Sequence, residues 1–136
     1  RLLADTFALY LKTKNFHWHV RGPQFRDLHL LFDEQAAAIF ALTDLIAERV
    51  RKNGAATLTS IGAIAAASRI ADQDDAAISA EAMIAELAAD NRTLIAGLRE
   101  VKELAGAAGD NATEGAVDDW TDQAEQRVWF LTSLAA

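Results

Sequence analysis

Apolar residues recur every three or four positions through most of the chain, and this spacing predicts amphipathic helices. The first helix is predicted from Leu2 to about Val20, and Arg21-Gly22-Pro23 then interrupts the pattern. A second long helix is predicted from Phe25 to about Lys52, and Asn53-Gly54 supplies its stop. The apolar positions of the first helix are Leu3, Phe7, Tyr10, Leu11 and Trp18.

Residues 55–77 predict a long crossover with a short helix from Thr59 to Ala67, capped by Thr57 or Thr59. A third long helix is predicted from an N-cap at Ser79 to Leu104, and a fourth from a cap at Thr113 nearly to the C-terminus. The fourth helix carries its apolar stripe on Val117, Trp120, Ala124, Val128 and Leu131. Four long helices without a repeat predict one all-α domain over residues 1–136.

Composition supports a helical, packed chain. Its 136 residues include 30 alanines but only 5 valines and 1 proline, and alanine is the strongest helix former. The absence of cysteine excludes disulfides and thiolate chemistry. The longest uncharged stretch, Asn53 to Ser68, is too short to span a bilayer, and no signal peptide opens the chain, so a cytoplasmic protein is expected.

Charge is distributed unevenly along the chain. The net charge is -7, with 8 basic and 6 acidic side chains in residues 1–52 and 5 basic and 14 acidic ones in residues 53–136. Affinity for nucleic acid comes mainly from clustered lysine and arginine, so this body is not predicted to bind nucleic acid generally. The acidic half is suited to attracting cations.

All three histidines lie between residues 17 and 29, which suggests a metal site. His29 and Asp33 are four residues apart and therefore share a helix face, and Asp44 and Glu48 repeat that spacing. Imidazole with carboxylate suits iron, manganese or zinc. The alternative is that these pairs are ordinary polar decoration of a solvated surface.

Helix geometry separates the two pairs within one chain. Asp33 and Asp44 differ by only about 20° around the axis but by about 16 Å along it, so one ion cannot contact both. If a second copy packs antiparallel about a two-fold axis near Ala38 and Ile39, the pair from one copy faces Asp44 and Glu48 of the other. His17 would approach from the side, and the run of small residues Ala36-Ala37-Ala38 would allow close packing.

The residues between 15 and 54 carry a specific pattern. It consists of His17-Trp18, Gly22, His29, Asp33, and Asp44 to Glu48-Arg49. This stretch resembles the Dps family, the small ferritin-like proteins also called DNA-binding proteins from starved cells. The resemblance extends over essentially the whole chain, although only residues 15–54 discriminate.

The resemblance implies a ferritin-like four-helix bundle that assembles into a hollow homododecamer and stores oxidised iron. It also implies ferroxidase centres at two-fold interfaces, which bind Fe(II), oxidise it with hydrogen peroxide or dioxygen and so protect against oxidative stress. By position, the ligands would be His17, His29 and Asp33 of one subunit and Asp44 and Glu48 of its neighbour. A Glu-x-x-His motif is absent, which argues against a site inside a single bundle.

Two alternatives to this function stay open. One is a nucleoid-associated protein that compacts DNA, with iron oxidation secondary. Family members that condense DNA usually do so through lysine- and arginine-rich tails, and no such run of basic residues occurs within residues 1–136. The other alternative is an inert bundle whose histidines and aspartates lie on a solvated surface.

Secondary roles are implied for further residues. Trp18 is either a core residue or, beside the iron site, a trap for radicals. Asp110, Glu114 and Asp118 would form an acidic line that is either a solvated helix start or an iron-entry pore, with Asp119 and Asp122 as substitutes. His19 is expected either on the surface or in contact with one of the metal-ligating side chains.

Overall fold

The computed structural model describes residues 1–134, which contain five α-helices and no strand. They are α1 (Leu2–His19), α2 (Phe25–Lys52), α3 (Ile61–Ala67), α4 (Ala80–Ala107) and α5 (Asn111–Leu134). The four long helices form a bundle, and α3 lies in the connection between α2 and α4. This confirms the prediction of an all-α bundle with a short helix in its crossover.

The bundle is built from two helical hairpins. α1 packs along α2, and α4 packs along α5, while α1 also contacts α4 and α3. Every long helix contributes to one continuous core, as their apolar periodicity predicts. Its largest fully buried apolar side chains are Phe16, Phe32, Leu9, Leu28, Ile39, Met83, Leu87, Leu94, Leu98, Leu131 and Val117.

The helix starts confirm one predicted cap. The Ser79 side chain accepts a hydrogen bond from the backbone amide three residues later, at 3.1 Å, and begins α4. The short helix α3 is capped by Ser60 in the same way, not by Thr57 or Thr59. The reason is geometric, since α3 begins at Ile61 and the capping acceptor must immediately precede the helix.

The predicted cap of α5 was also wrong. The helix begins two residues before Thr113, and the backbone amide of Thr113 donates to Asp110 Oδ1 at 3.2 Å. Asp110 therefore supplies the capping acceptor, and its negative charge suits a helix N-terminus.

The predicted apolar face of α1 is partly wrong. Leu11 and Trp18 are each 58% exposed, whereas Leu2, Leu9 and Phe16 are buried. α1 thus presents apolar side chains on two sides, and only one side packs into this chain's core. The interpretation of Trp18 as a core residue is not supported.

The crossover is fastened to α1 by ion pairs and hydrogen bonds. Arg69 Nη2 lies 2.7 Å from Oδ2 of the fully buried Asp5. Lys12 Nζ donates to the carbonyl oxygen of Ala71 at 2.9 Å. These contacts hold the segment after α3 against the first hairpin.

Among residues 1–134, no helix is long and apolar enough to cross a membrane.

Candidate metal centre

The chain reversal between α1 and α2 brings His17 and His29 together. Gly22 adopts a φ of +117°, a conformation that side-chain-bearing residues rarely adopt, so the reversal depends on glycine. The two imidazole rings stack with their centroids 3.9 Å apart and their planes 14° from parallel. Phe25 stacks on the His29 ring at 5.0 Å.

The two histidines are held by reciprocal hydrogen bonds. His17 Nδ1 donates to the carbonyl oxygen of His29 at 2.6 Å, and His29 Nδ1 donates to the carbonyl oxygen of His17 at 2.7 Å. A carbonyl oxygen can only accept, so both Nδ1 atoms carry the proton. The backbone contacts thus use Nδ1 of each ring and leave Nε2 as the atom available to a metal ion, an arrangement typical of histidine ligands.

Asp33 completes the group on this chain. Its Oδ1 lies 3.7 Å from His17 Nε2 and accepts a hydrogen bond from Lys14 Nζ at 2.7 Å. The hydrogen bond from Lys14 is the main reason that the pKa of Asp33 is lowered, and the Lys14 charge and the two histidines add to the effect. The carboxylate is therefore ionised at neutral pH and already has a cationic partner.

Asp44 and Glu48 do not reach that group. Both side chains are exposed on α2, along the stripe that also carries Asp33, Ala37 and Ala41. Within residues 1–134, no group of three or more histidine or acidic side chains is arranged to hold a metal ion. In one described chain, Asp33 thus lies beside His17 of the histidine pair, the three do not form a complete metal site, and Asp44 and Glu48 lie apart from them.

The middle of that stripe differs only in part from the predicted one, since Ala37 and Ala38 of the predicted run are exposed. Ile39 and Ala36 are fully buried in this chain's own core, so they cannot face a second copy. Ala37 and Ala41 are exposed at the same level of α2. The helix turn places these two residues, rather than Ile39, between the two ligand pairs.

Exposed apolar side chains lie on α2 and on the helices near it. Phe40 on α2 is half-exposed and packs against Tyr10 of α1, with the ring centroids 4.8 Å apart. The other exposed large apolar side chains on α1, α2 and α3 are Leu11, Trp18, Phe25, Leu30, Leu45 and Ile61. An exposed apolar patch of this kind is characteristic of an interaction surface.

The acidic residues near the start of α5 have partners in the chain. Asp110 accepts hydrogen bonds from Arg49 Nη2 at 2.9 Å and from Asn53 Nδ2 at 2.8 Å. Hydrogen bonds from Thr113 and Asn53 are the main reasons that the pKa of Asp110 is lowered to about 2. Asp118 Oδ1 lies 2.6 Å from Lys102 Nζ. Asp110 thus acts as a helix cap, and a pore role for this line stays a prediction.

Sequence patterns did not identify Lys14 as part of the site. It is 19 residues from Asp33, so no local spacing connects them, and only the α1–α2 packing brings them together. His19 is exposed, in agreement with the surface alternative, and its Nδ1 lies 2.7 Å from Asn15 Oδ1.

The sequence matches the ferritin-like domain family over residues 1–136. A DNA protection during starvation protein from Brevibacillus brevis is 31% identical over 134 residues, covering 98% of this chain and 89% of the relative. Dps from Thermosynechococcus elongatus superposes with a TM-score of 0.96 at 29% identity, covering 100% of this chain and 86% of that one. A Dps protein from Vibrio cholerae, described as ferritin-like diiron-carboxylate, gives 0.94 at 28% identity, covering 99% and 84%. The chain therefore belongs to the Dps family of ferritin-like proteins.

Proposed function

We propose that this protein is a ferroxidase and iron store whose catalytic sites form between two copies of the chain. The observation that carries this proposal is the locked histidine pair, which keeps two Nε2 lone pairs beside an ionised carboxylate. A second copy would supply Asp44 and Glu48, which are exposed and distant from the pair in one chain. The metal ligands would be His17, His29, Asp33, Asp44 and Glu48.

The donor set fits iron as a substrate. Imidazole nitrogen has affinity for the ferrous ion that must bind first, whereas carboxylates are hard ligands that favour the ferric ion. Hydrogen peroxide would take two electrons from two ferrous ions and, with water, give two ferric oxyhydroxide units and four protons. The exposed carboxylates could accept those protons or pass them to solvent.

The apolar surface beside the stripe supports the shared site. Leu11, Phe40 and Leu45 would be buried by a second copy, and burying apolar surface favours association. Residues 1–136 would form one ferritin-like domain, and a closed shell of twelve copies, which the family resemblance implies, would hold the ferric mineral. The relatives' names support a role in protection during starvation.

Stopped-flow oxidation of Fe(II) by hydrogen peroxide tests the proposed activity. We expect His29→Ala and Glu48→Gln to lower the initial rate by at least about tenfold, because each removes one ligand. His19→Ala is the matched control, since His19 is the third histidine but bonds only within its own helix. Equal rates in all variants would contradict the assignment.

Mixing two inactive variants tests whether the site is shared. In a mixed dimer of Asp33→Asn and Asp44→Asn subunits, one site carries both substitutions and the other carries neither. Random co-assembly should therefore restore about a quarter of the wild-type rate. If all ligands came from one chain, mixing would restore nothing.

A DNA-compacting role is the second candidate, because several relatives are DNA protection proteins. The net charge of -7 opposes DNA binding by the bundle itself. A gel shift at low and moderate salt would detect such binding. A gel shift of DNA that residues 1–136 produce on their own would favour this candidate.

A further inference from the structure

The end of α2 carries an asparagine–glycine pair in an exposed turn. Asn53 and Gly54 are both exposed, and Gly54 has a φ of +87°, a conformation that favours glycine. The Gly54 amide donates to the carbonyl oxygen of Arg51 at 2.9 Å, and the Ala55 amide donates to that of Val50 at 3.2 Å. These two bonds form a Schellman motif, so the way in which α2 ends requires the glycine that follows Asn53.

The same pair is chemically reactive, and no other asparagine in the sequence precedes a glycine. The backbone nitrogen of the glycine can lose its proton to solvent and attack Cγ of the asparagine, because glycine has no Cβ that hinders the approach. The new C–N bond closes a succinimide ring, and the side-chain nitrogen takes up a proton from water and leaves as ammonia. Water then opens the ring at either carbonyl and leaves aspartate or its β-linked isomer, isoaspartate.

The folded turn opposes this reaction in two ways. The ψ of Asn53 is 3°, whereas ring closure requires its Cβ to eclipse the Gly54 nitrogen about the Cα–C bond, which is about a third of a turn away. The Asn53 side chain is also held in place, since its Nδ2 donates to Oδ2 of Asp110 at 2.8 Å. Ring closure must move both groups, so it requires local opening of the turn.

Asp110 connects this asparagine to the start of α5. Its Oδ1 accepts hydrogen bonds from Arg49 Nη2 at 2.9 Å and from the backbone amide of Thr113 at 3.2 Å, while its Oδ2 accepts from Asn53. Deamidation would replace the Asn53 donor with a carboxylate, which can only accept and carries the same charge as Asp110. The product therefore could not re-form the bond.

We propose that Asn53 is a site of spontaneous deamidation, that its bond to Asp110 limits the rate, and that the product weakens the contact between α2 and α5. The intact asparagine keeps this junction closed, and the closed junction protects the asparagine. Because the reaction is irreversible, the modified fraction of the protein records how often the junction has opened. This inference does not depend on the proposed iron ligands.

Incubation of iron-free protein at mildly alkaline pH, followed by peptide mass spectrometry, measures how fast Asn53 becomes aspartate or isoaspartate. We expect wild-type protein unfolded in urea to react at least about tenfold faster than folded protein, since the reaction requires opening. Asp110→Ala should raise the rate in the folded protein by about fivefold, because it removes a hydrogen bond to a charged group, and should leave the rate in urea unchanged.

Asp119→Ala is the matched control and should react as wild type does. Asp119 is an exposed aspartate of the same helix, and it accepts a hydrogen bond from Gln123 of that helix. Equal rates for folded and unfolded wild-type protein would overturn the proposal. Equal rates for folded wild type and folded Asp110→Ala would also overturn it.

Variants that imitate the product cover the case in which Asp110→Ala does not fold. Asn53→Asp should lower the melting temperature at neutral pH, because it places two carboxylates at hydrogen-bond distance. In the Asp110→Asn background the same change should lower it much less, since the introduced amide can donate to the introduced carboxylate. An unchanged melting temperature in Asn53→Asp, or equal losses in the two backgrounds, would contradict the proposed effect of the product.

Discussion

At the scale of single residues, Lys14 would compete with a metal ion for Asp33 at the proposed site. Its ammonium group bonds to the carboxylate oxygen that lies nearest to His17. A metal ion held by His17 and Asp33 would therefore have to displace Lys14 or share the carboxylate with it. At the proposed site, Lys14 would thus neutralise the Asp33 carboxylate in the absence of a metal ion.

Replacing Lys14 with methionine should strengthen binding of divalent cations. The change removes a nearby positive charge and a competing hydrogen bond but keeps the aliphatic stem, and we expect an affinity increase of about fivefold. Titration of the iron-free protein with Co²⁺, followed by its absorption spectrum, measures this. Lys52→Met, an exposed lysine at the end of α2, is the control. Weaker Co²⁺ binding by Lys14→Met would mean that Lys14 organises the site instead.

Lys12 is a buried lysine that pairs with two acidic side chains of α4. It is 7% exposed and lies 2.8 Å from Asp90 and 3.1 Å from Glu86 on α4. Burial raises the pKa of Asp90, and the Lys12 hydrogen bond opposes that effect. The lysine thus offsets the cost of two acidic groups at the α1–α4 contact.

Lys12→Met should lower the free energy of unfolding by about 3 kcal/mol at pH 7, because it leaves Asp90 buried without its partner. The loss should shrink as pH falls, since a protonated Asp90 no longer needs a cation. Urea unfolding at pH 7 and pH 4 measures both values. A loss that does not depend on pH would point to packing of the lysine stem instead.

Single-residue chemistry was predictable only where it followed local spacing. His29 and Asp33, four residues apart, were found from sequence, whereas the Lys14–Asp33 and Arg127–Asn91 contacts join different helices. Arg127 did leave a signal, since it lies three residues after Ala124 and four before Leu131 in the buried stripe. A charge within an apolar repeat is a sign of a buried polar contact.

At the scale of helices, the ends were harder to predict than the bodies. α2 begins at Phe25 and ends at Lys52 as predicted, because proline and glycine mark those limits. The caps of α3 and α5 were displaced by one to three residues, because several neighbouring side chains could each act as a cap. Which one does so depends on tertiary partners, such as Arg49 and Asn53 for Asp110.

The Asp110 cap should make stability depend on acid pH. Its pKa of about 2 lies below the ordinary value of 3.8, so the ionised form is favoured by folding. The stabilisation is therefore complete above about pH 4 and is lost as the pH falls toward 2. Asp110→Asn, which keeps the capping oxygen but not the charge, should melt at a lower temperature than wild type at pH 7.

Circular dichroism melts of both proteins from pH 7 to pH 2 measure this difference. It should narrow below pH 4 and vanish near pH 2. Asp119→Asn serves as the control, since Asp119 is an exposed aspartate on the same helix. A difference that widens in acid would contradict this role for Asp110.

At the scale of the whole molecule, the exposed stripe of α2 shares its helix with two exposed apolar side chains, Phe40 and Leu45. Sequence geometry separated Asp33 from Asp44 and so predicted that two chains are needed. It did not predict that Ile39 is buried, because the face of α2 that enters the core is set by packing against the other helices.

A bulky charged residue at Ala41 should prevent association without disturbing the bundle. Ala41 is exposed between the ligand pairs, so Ala41→Arg changes no core contact. Size-exclusion chromatography with light scattering should show smaller particles, and the rate of Fe(II) oxidation should fall with them. Ala96→Arg, at an exposed alanine of α4, should leave the two-fold contact intact. Full-size assembly by Ala41→Arg would place the contact elsewhere.

Each imidazole is hydrogen-bonded to the backbone carbonyl of the other histidine, and this pair of bonds limits which insertions and deletions the chain can tolerate. Because the bonds close a loop of fixed size between residues 17 and 29, an inserted or deleted residue there would break both at once. Insertions and deletions should therefore be tolerated far better in the crossover than in this reversal. A circular permutant opened at Gly22 would test how strongly the ring pair alone holds its two helices together.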